Sequence, residues 1–273
     1  MNPQTLIREG RLADALAAVQ DQVRKDAGNP KHRILLFQLL CVMGEWKRAL
    51  NQLNVAGELD AAALPMVQTY REAIQCEALR REIFKGAHAP LIFGQPPAWL
   101  ALLVDALRHE AAADHARAAA MRAQAFEAAP PSAGSIDGQR FAWLADADGR
   151  LGPVLEAIIN GRYFWVPMQH VRRIAFDAPS DLRDTVWTPA SFTLANGAET
   201  VALVPTRYEG TLSGGDDALL LARRTEWSED GHGLGQRMLV TDAGEYALMD
   251  VHVIELDEVG AAADADADAA AHG

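Results

Sequence analysis

A seven-residue pattern occurs twice in this chain, and it constrains the fold more than any other feature. The first copy, GRLADAL, begins at Gly10, and the second, GEWKRAL, begins at Gly44, 34 residues later. In both copies a large apolar residue follows two positions after the glycine, and an alanine and a leucine close the pattern. Glycine adopts the left-handed conformation that a tight turn needs, and the small alanine lets two helices approach closely. The pattern therefore predicts antiparallel helix pairs in the first part of the chain.

The spacing of 34 residues is the period of tetratricopeptide (TPR) repeats. A weaker copy occupies residues 113–119, and chance similarity between alanine-rich helical hairpins is the alternative. Apolar residues at helical spacing, such as Leu12, Leu16 and Val19, favour helices throughout this part of the chain. The predicted helices cover residues 2–8, 11–25, 32–43, 45–59, 62–84, 98–110 and 112–128, and residues 90–97 are predicted to form a loop.

A stretch rich in Pro, Gly and Ser, residues 129–139, separates two parts of different character. Beyond it, short β-prone runs occur without a regular βαβ alternation, which favours an α+β arrangement with largely antiparallel pairing. The predicted strands include residues 162–166, 171–176, 200–205, 236–241, 246–249 and 252–256, whereas residues 150–160 and 218–224 are predicted to be helical. We therefore expect a TPR-like α-helical repeat domain in residues 1–130, an α+β domain in residues 131–258, and a disordered acidic Ala/Asp tail in residues 259–273.

The charge of the chain is distributed unevenly. Residues 1–130 contain 15 Lys and Arg against 14 Asp and Glu, residues 131–273 contain 10 against 23, and the net charge is -12. An acidic second half repels phosphate backbones, so no nucleic-acid partner is predicted. No run of about 18 apolar residues and no apolar signal segment occurs, which predicts a protein without membrane insertion. Two cysteines cannot form a disulfide framework, and the chain fits a reducing cytoplasm.

Four charged residues near the start of the second part form the most concentrated polar group: Asp146, Asp148, Arg150 and Glu156. The segment DADG resembles a fragment of a calcium-binding loop, but the required glycine and later ligands are missing, so no calcium site is predicted. We predict instead a salt-linked structural cluster that positions the start of a helix at residues 151–153. A ligand-binding or enzymatic role for the same cluster, close to Trp143, is the competing hypothesis.

No other motif predicts an enzyme. Gly231, Gly233 and Gly235 are spaced like the glycines of a phosphate-binding loop, but no βαβ unit precedes them, so a flexible hairpin loop is predicted. The eight histidines do not cluster at the spacing of metal ligands. Cys41 and Cys76 occupy apolar helix faces and are predicted to be core thiols. The sequence therefore predicts a non-catalytic protein with no cofactor and no metal.

Stacked helix pairs offer a concave surface that can hold a helix or an extended peptide. Because Gly44 ends the helix before it, that preceding helix is expected to be the inner one of its pair. The long helix at residues 62–84 is expected to contribute to the same surface. The candidate partner-binding residues on these two helices are Lys31, Ile34, Gln38, Cys41, Gln68, Glu72 and Gln75. For each of them, an ordinary solvent-exposed or core position is the alternative.

Several segments of the chain together resemble a known family. In the first part these are residues 35–46 (LLFQLLCVMGEW), 48–53 (RALNQL), 64–66 (LPM), 70–71 (YR) and 76–77 (CE). In the second part they are IDGQ at 136–139, DAD at 146–148, RLGPVLE at 150–156, NGRY at 160–163, PTRY at 205–208, GLGQR at 233–237 and TDAGEY at 241–246. The chain is similar in these segments to the ImpE/TagJ (SciE-type) family, and the resemblance extends over about residues 5–258. One departure lies at residues 112–115, where the family has a Gly-x-Tyr-like turn.

The resemblance implies an accessory protein of bacterial type VI secretion systems. Such a protein would be a non-catalytic cytoplasmic adaptor that binds the small subunit of the contractile sheath through a helix of that subunit. It would also associate with the ClpV-type AAA+ ATPase, an unfoldase that recycles the sheath. The resemblance implies a TPR-like helical domain followed by an α+β domain, and it carries over no catalytic residues. A chaperone for a secreted effector is a further alternative, and the sequence leaves the oligomeric state open.

Overall fold

The computed structural model describes residues 2–258, and the predicted disordered tail at residues 259–273 lies outside the described residues. Up to residue 128 the structure consists of helices and one short strand, which confirms the predicted helical first part. The α-helices of the described residues are α1 Pro3–Arg8, α2 Leu12–Lys25, α3 Pro30–Val42, α4 Trp46–Leu59, α5 Leu64–Phe84, α6 Ala98–Ala111, α7 His115–Ala128 and α8 Asp217–Leu220.

The two glycines of the repeated pattern lie in the turns between paired helices. Gly10 joins α1 to α2 and Gly44 joins α3 to α4, with φ angles of 73° and 72°. This left-handed conformation is strained for any residue with a Cβ. At Gly44 a Cβ would also lie 2.6 Å from the side chain of Leu212. The helical hairpins are therefore present, and their assignment to the TPR class remains a prediction.

The second part of the chain is built on a nine-stranded sheet that is antiparallel except at one edge, as predicted for the α+β part. In spatial order its strands are β1 Leu91–Ile92, β6 Arg162–Pro167, β5 Val154–Ile159, β9 Glu199–Pro205, β8 Trp187–Leu194, β7 Val171–Phe176, β14 Val253–Leu256, β2 Gly134–Ile136 and β3 Gln139–Phe141. A smaller sheet has the order β13 Glu245–Ala247, β12 Met238–Thr241 and β4 Leu144–Asp146. The remaining hairpin pairs β10 Thr225–Trp227 with β11 Gly233–Gly235.

The helix predicted at residues 150–160 is wrong, because this segment contains β5. All six residues of β5 are buried. A strand that is covered on both faces lacks the alternation of apolar and polar residues that identifies a half-buried strand. Asn160 and Gly161, with φ angles of 49° and 71°, form a tight turn into β6. The charged cluster therefore precedes and enters a strand instead of starting a helix.

Two further elements differ from the prediction. The predicted loop at residues 90–97 contains β1, which pairs in parallel with β6, so the helical part of the chain supplies an edge strand to the sheet. The helix predicted at residues 218–224 is limited to the single turn of α8. It cannot continue because Ala222 has a φ angle of 53°, outside the helical region.

Helices and sheet share one apolar core. A single cluster of buried side chains extends from α1 to α7 and includes Val154, Trp165 and Trp187 of the sheet. Neighbouring residues of the same strands, among them Leu155 and Val166, point to the opposite face and belong to a second cluster. The helices therefore cover one face of the nine-stranded sheet. The division of the chain into domains at residue 130 remains a prediction.

Candidate functional site

The structure brings together the four charged residues that the sequence predicts to cluster. Asp146 ends β4, Glu156 lies in β5, and Asp148 and Arg150 lie in the turn between these strands. All four are buried, with exposed fractions from 0% to 7%. Arg150 donates to the Asp148 carboxylate from Nε at 3.0 Å and from Nη2 at 2.6 Å. The cluster therefore lies in the interior, where its charges meet protein partners instead of water.

Two arginines outside the predicted cluster complete it. Arg237, directly before β12, is fully buried, and its guanidinium contacts the carboxylates of Asp146 and Glu156. Arg80 of α5 donates to both carboxylate oxygens of Glu156, at 2.6 and 2.9 Å. The hydroxyl of Tyr163 donates to the same carboxylate. This buried ion network joins α5 to three strands of the second part of the chain.

The helical spacing around Arg80 signalled its burial, whereas Arg237 appeared only in the segment GLGQR that resembles the family, without a sign of its partners. Arg80 lies on the same helix face as Ala73, Cys76 and Ile83, which are all buried. A buried cation needs a carboxylate partner, so this spacing could have identified Arg80. Arg237 contacts carboxylates that are 91 and 81 residues away in the sequence. Such long-range pairing leaves no local pattern.

Asp148 also fixes the glycine-rich segment near the end of the chain. The N–H group of Gly233 donates to Asp148 Oδ2 at 3.0 Å. A Cβ at Gly233 would lie 2.3 Å from the ring of Tyr208. Close packing against Tyr208 therefore explains why residue 233 is a glycine. The neighbouring Asp148 carboxylate would repel a phosphate, so the glycine spacing does not mark a phosphate-binding loop.

Burial and ion pairing compete in setting the pKa values of the buried carboxylates. Burial raises the pKa of Asp146 to about 6, although Arg237 opposes the shift. For Glu156, burial opposes ionisation, but the charges of Arg80 and Arg237 outweigh it and lower the pKa to about 2. Burial also opposes ionisation of Asp148, and the hydrogen bonds and charge of Arg150 outweigh it and lower that pKa. Glu156 and Asp148 are therefore carboxylates at neutral pH.

The lowered pKa of Glu156 predicts a loss of stability in acid. Between about pH 4.5 and pH 2 the unfolded chain takes up a proton at Glu156 that the folded chain does not, so the free energy of unfolding falls as the pH falls. We expect Glu156→Gln to remove about 3 kcal/mol of this acid dependence. Urea unfolding of both proteins between pH 7 and pH 2.5 measures it.

The contribution of Asp146 to the free energy of unfolding changes with pH in the opposite direction. Its raised pKa lets the folded chain bind a proton first, so its contribution increases stability as the pH falls from about 6 towards 3.8. Glu255→Gln, at an exposed position of β14, is the matched control and should retain the acid dependence of the wild type. Equal slopes below pH 4.5 for the wild type and Glu156→Gln would contradict the assignment.

The candidate partner-binding residues on α3 are only partly accessible. Lys31 is exposed and Ile34 is half-buried. Gln38 and Cys41 are 5% and 0% exposed. The expectation that Gln38 and Cys41 face an open groove is therefore wrong, because neither side chain can be reached by a partner.

The second part of the chain covers the inner face of α3. All residues from Leu36 to Val42 are buried, so this helix needs cover on every side. The 3-10 turn Leu182–Thr185 packs against it, and the guanidinium of Arg207 donates to the Val42 carbonyl at 2.7 Å. The concave surface that an open repeat array would offer to a partner is filled here by the chain itself.

The candidates on α5 remain accessible to solvent. Gln68 and Gln75 are exposed, Glu72 is half-buried, and the Gln68 amide contacts the Glu72 carboxylate. Glu72 and the neighbouring Thr69 line a groove of about 400 Å³ between α5 and the sheet. Of the predicted partner-binding residues, Glu72 therefore lines a groove. This groove is not the concave surface that α3 and α5 were expected to share.

This groove lies where β9 continues past the end of β5, which turns into β6 at Asn160 and Gly161. β5 and β9 pair only at Ile158 and Leu203. Within the described chain, no strand pairs on this side with the part of β9 before Leu203, where Val201 is 71% exposed. We call this site the α5–β9 groove, and it is lined by residues that include Thr69, Glu72, Ile158, Asn160, Asp177 and Val201.

The other groups that could carry chemistry are separated or buried. Among residues 2–258, no three His, Cys, Asp or Glu side chains come together as possible metal ligands. Cys41 and Cys76 are buried free thiols, and burial raises the pKa of both, that of Cys76 to about 12. A thiol with a raised pKa is a poor nucleophile at neutral pH. In the same range of residues, no helix is long and apolar enough to cross a membrane.

Comparison with known proteins places this architecture in a family. The ImpE protein family matches residues 138–255. The chain is 57% identical over 261 residues to the type VI secretion system accessory component TagJ of Pseudomonas aeruginosa, and the match covers 96% of this chain and 93% of that protein. The crystal structure of protein VPA1032 from Vibrio parahaemolyticus shares the fold, with a TM-score of 0.85 and 22% identity over 95% of this chain and 99% of that chain. The chain therefore belongs to the ImpE/TagJ family of type VI secretion accessory components.

Proposed function

We propose that this protein is a non-catalytic cytoplasmic adaptor that binds the small subunit of the type VI contractile sheath and links it to the ClpV-type AAA+ unfoldase. It binds the sheath subunit through a helical segment of that subunit, and its helical hairpins act as a TPR-like module. The observation that carries the proposal is the 57% identity with TagJ across 96% of this chain. Identity of this extent favours shared binding surfaces in addition to a shared fold.

The buried ion network supports a structural role for the charged cluster. A general acid or base must come within hydrogen-bond distance of a substrate. Asp148 and Glu156 are both 0% exposed, and each carboxylate is already engaged by arginine. These residues stabilise the junction between helices and sheet, which favours the adaptor over an enzymatic second domain.

The α5–β9 groove is the surface that we assign to the sheath subunit. Val201 and Leu203 offer apolar contact, and Glu72 and Asp177 are acidic. None of the described residues that line the groove is basic. A helix that presents apolar side chains beside Lys or Arg would complement this surface in shape and charge.

Val201→Asp is expected to weaken binding of the small sheath subunit by about tenfold or more. The new carboxylate would disrupt the apolar contact and add to the acidic groove at a side chain that is 71% exposed, so the fold should remain intact. Isothermal titration with the purified subunit, and with peptides that cover its helices, measures the change.

Leu59→Asp is the matched control, because Leu59 is an exposed leucine at the end of α4 and does not line the groove. Its affinity for the subunit should stay within about twofold of the wild type. Unchanged binding by Val201→Asp would reject this groove as the site. Absence of binding by the wild-type protein to the subunit would reject the adaptor function itself.

A further inference from the structure

A second and more apolar groove lies where α7 meets the three-stranded sheet. Its volume is about 450 Å³. Phe126 of α7 and Trp143 before β4 line it and are 39% and 40% exposed, and Pro130, Pro131 and Val240 contribute further apolar surface. Contiguous exposed apolar surface on a folded protein marks a site of interaction. We call this site the Phe126–Trp143 groove.

The groove follows a strand edge that has no partner. Within the described chain, β4 is the last strand of its sheet and pairs only with β12. Leu144 and Ala145 line the groove along this edge. At Asp146 the edge is closed by the chain itself, because the Asp146 N–H donates to the Gly152 carbonyl at 2.7 Å. An extended segment can add to such an edge through main-chain hydrogen bonds, with alternate side chains entering the neighbouring pockets.

The rim of this groove is acidic. The carboxylate of Asp242 accepts a hydrogen bond from the Ala142 N–H at 2.7 Å, which holds this charge beside Trp143. Glu245 of β13 lies directly opposite Val240 of β12, so the two side chains share one face of the sheet. Asp242 and Glu245 are both exposed. The apolar floor is therefore flanked by negative charge.

Basic side chains do not balance this charge. None of the described residues that line the groove is Lys or Arg. Arg122, one helical turn before Phe126, is already paired with Glu110 at 2.8 Å. An occupant that complements the groove must therefore bring its own cations.

We propose that the Phe126–Trp143 groove binds an extended segment of a partner protein in which apolar residues alternate with Lys or Arg. The segment adds to the free edge of β4, its apolar side chains pack between Phe126 and Trp143, and its cations face Asp242 and Glu245. The groove shares no lining residue with the α5–β9 groove. The protein can therefore hold this segment and a second partner at the same time, whether or not that second partner is the sheath subunit.

The test uses a synthetic probe of about nine residues in which Lys and Val alternate, and a matched probe in which Glu replaces Lys. Fluorescence anisotropy of the labelled probes measures affinity for the full chain. We expect the Lys probe to bind about tenfold or more tightly than the Glu probe. Trp143→Ala should weaken binding of the Lys probe by about tenfold, whereas Trp227→Ala, at another exposed tryptophan, should change it by less than about twofold.

Two further measurements distinguish strand addition from loose electrostatic attraction of the Lys probe to the acidic rim. Amide exchange at Leu144 should slow when the Lys probe is bound, because its N–H faces the free edge, whereas the N–H of Ala145 faces β12. Val240→Lys should weaken binding of the Lys probe by about tenfold, because it adds a positive charge to the groove. This variant keeps both aromatic rings, so it tests the groove even if Trp143→Ala does not fold.

The proposal is overturned if the Lys probe does not bind, if the Glu probe binds equally well, or if the exchange at β4 does not change. Self-association of the chain that Trp143→Ala abolishes would identify a second copy as the occupant and would also overturn it. Val201→Asp should still bind the Lys probe, and Trp143→Ala should still bind the sheath subunit. A failure of this groove is therefore distinguishable from a failure of the adaptor proposal.

Discussion

Replacing Arg237 by methionine is expected to lower the free energy of unfolding by about 3–5 kcal/mol. The guanidinium of Arg237 is fully buried, contacts the carboxylates of Asp146 and Glu156, and donates to the Pro205 carbonyl at 3.0 Å. Methionine fills a similar volume, so little of the cost arises from a cavity. Glu156 keeps Arg80 as a partner, but Asp146 loses its cation. Asp146 must then take up a proton or stay charged without a partner, and either change costs free energy.

Urea unfolding at pH 7 of Arg237→Met and of a matched control measures this cost. The control is Arg224→Met, because Arg224 is half-exposed and pairs with Asp216 and Glu226 at the surface. Such surface pairs contribute at most about 1 kcal/mol. Asp146→Asn added to Arg237→Met should restore part of the lost stability, because asparagine is neutral without taking up a proton. Equal stabilities of the two single variants would contradict the role of Arg237.

Trp187→Ala is expected to cost about 3–5 kcal/mol, for a different reason. Trp187 lies in β8 and is fully buried. Its ring centroid is 5.8 Å from those of Trp46 and Tyr70, and its indole N–H donates to Glu77 at 2.9 Å. The variant would leave a cavity between the sheet and two helices, together with a carboxylate that has lost a donor. The contact between helices and sheet should weaken first.

Differential scanning calorimetry and amide exchange measure both parts of this prediction. Trp227→Ala removes an equally large ring that is 47% exposed and contacts only the Tyr208 ring among the described aromatic side chains, so it should cost less than about 1 kcal/mol. Exchange in α4 should accelerate more than exchange in β12. A loss below about 1 kcal/mol for Trp187→Ala would mean that helices and sheet do not depend on a shared core.

The helical hairpins were predictable because their signals are local. Gly10 and Gly44 supply the left-handed turns. Asn29 caps α3 through a hydrogen bond from the Lys31 N–H, and Pro30 occupies the first turn. Each of these signals depends on residues that are close in the sequence, so the sequence alone is sufficient to predict the turns and the start of the helix. The strand β5 was missed for the opposite reason, since burial on both faces removed the alternation that would have identified it.

The charged cluster was predictable in part. Asp148 and Arg150 are close in the sequence, and a buried carboxylate needs a cation, so their pairing could be expected. The arginines that neutralise Glu156 come from α5 and from the segment before β12. Only the packing of α5 on the sheet brings Arg80 to Glu156, and no pattern near either residue records that contact.

The residues of α3 show where local information ends. Its apolar side chains and its turn at Gly44 dictate a helix that must be buried on its inner face, and Gln38 and Cys41 lie on that face. Burying an apolar surface away from water is favourable. The stabilisation is nearly the same whichever apolar surface packs against it. A helix of a partner protein could have buried the inner face of α3 as well as the second part of this chain does. The tertiary structure decided between them by placing Arg207 and the Leu182–Thr185 turn against α3, which leaves the α5–β9 and Phe126–Trp143 grooves open to partners.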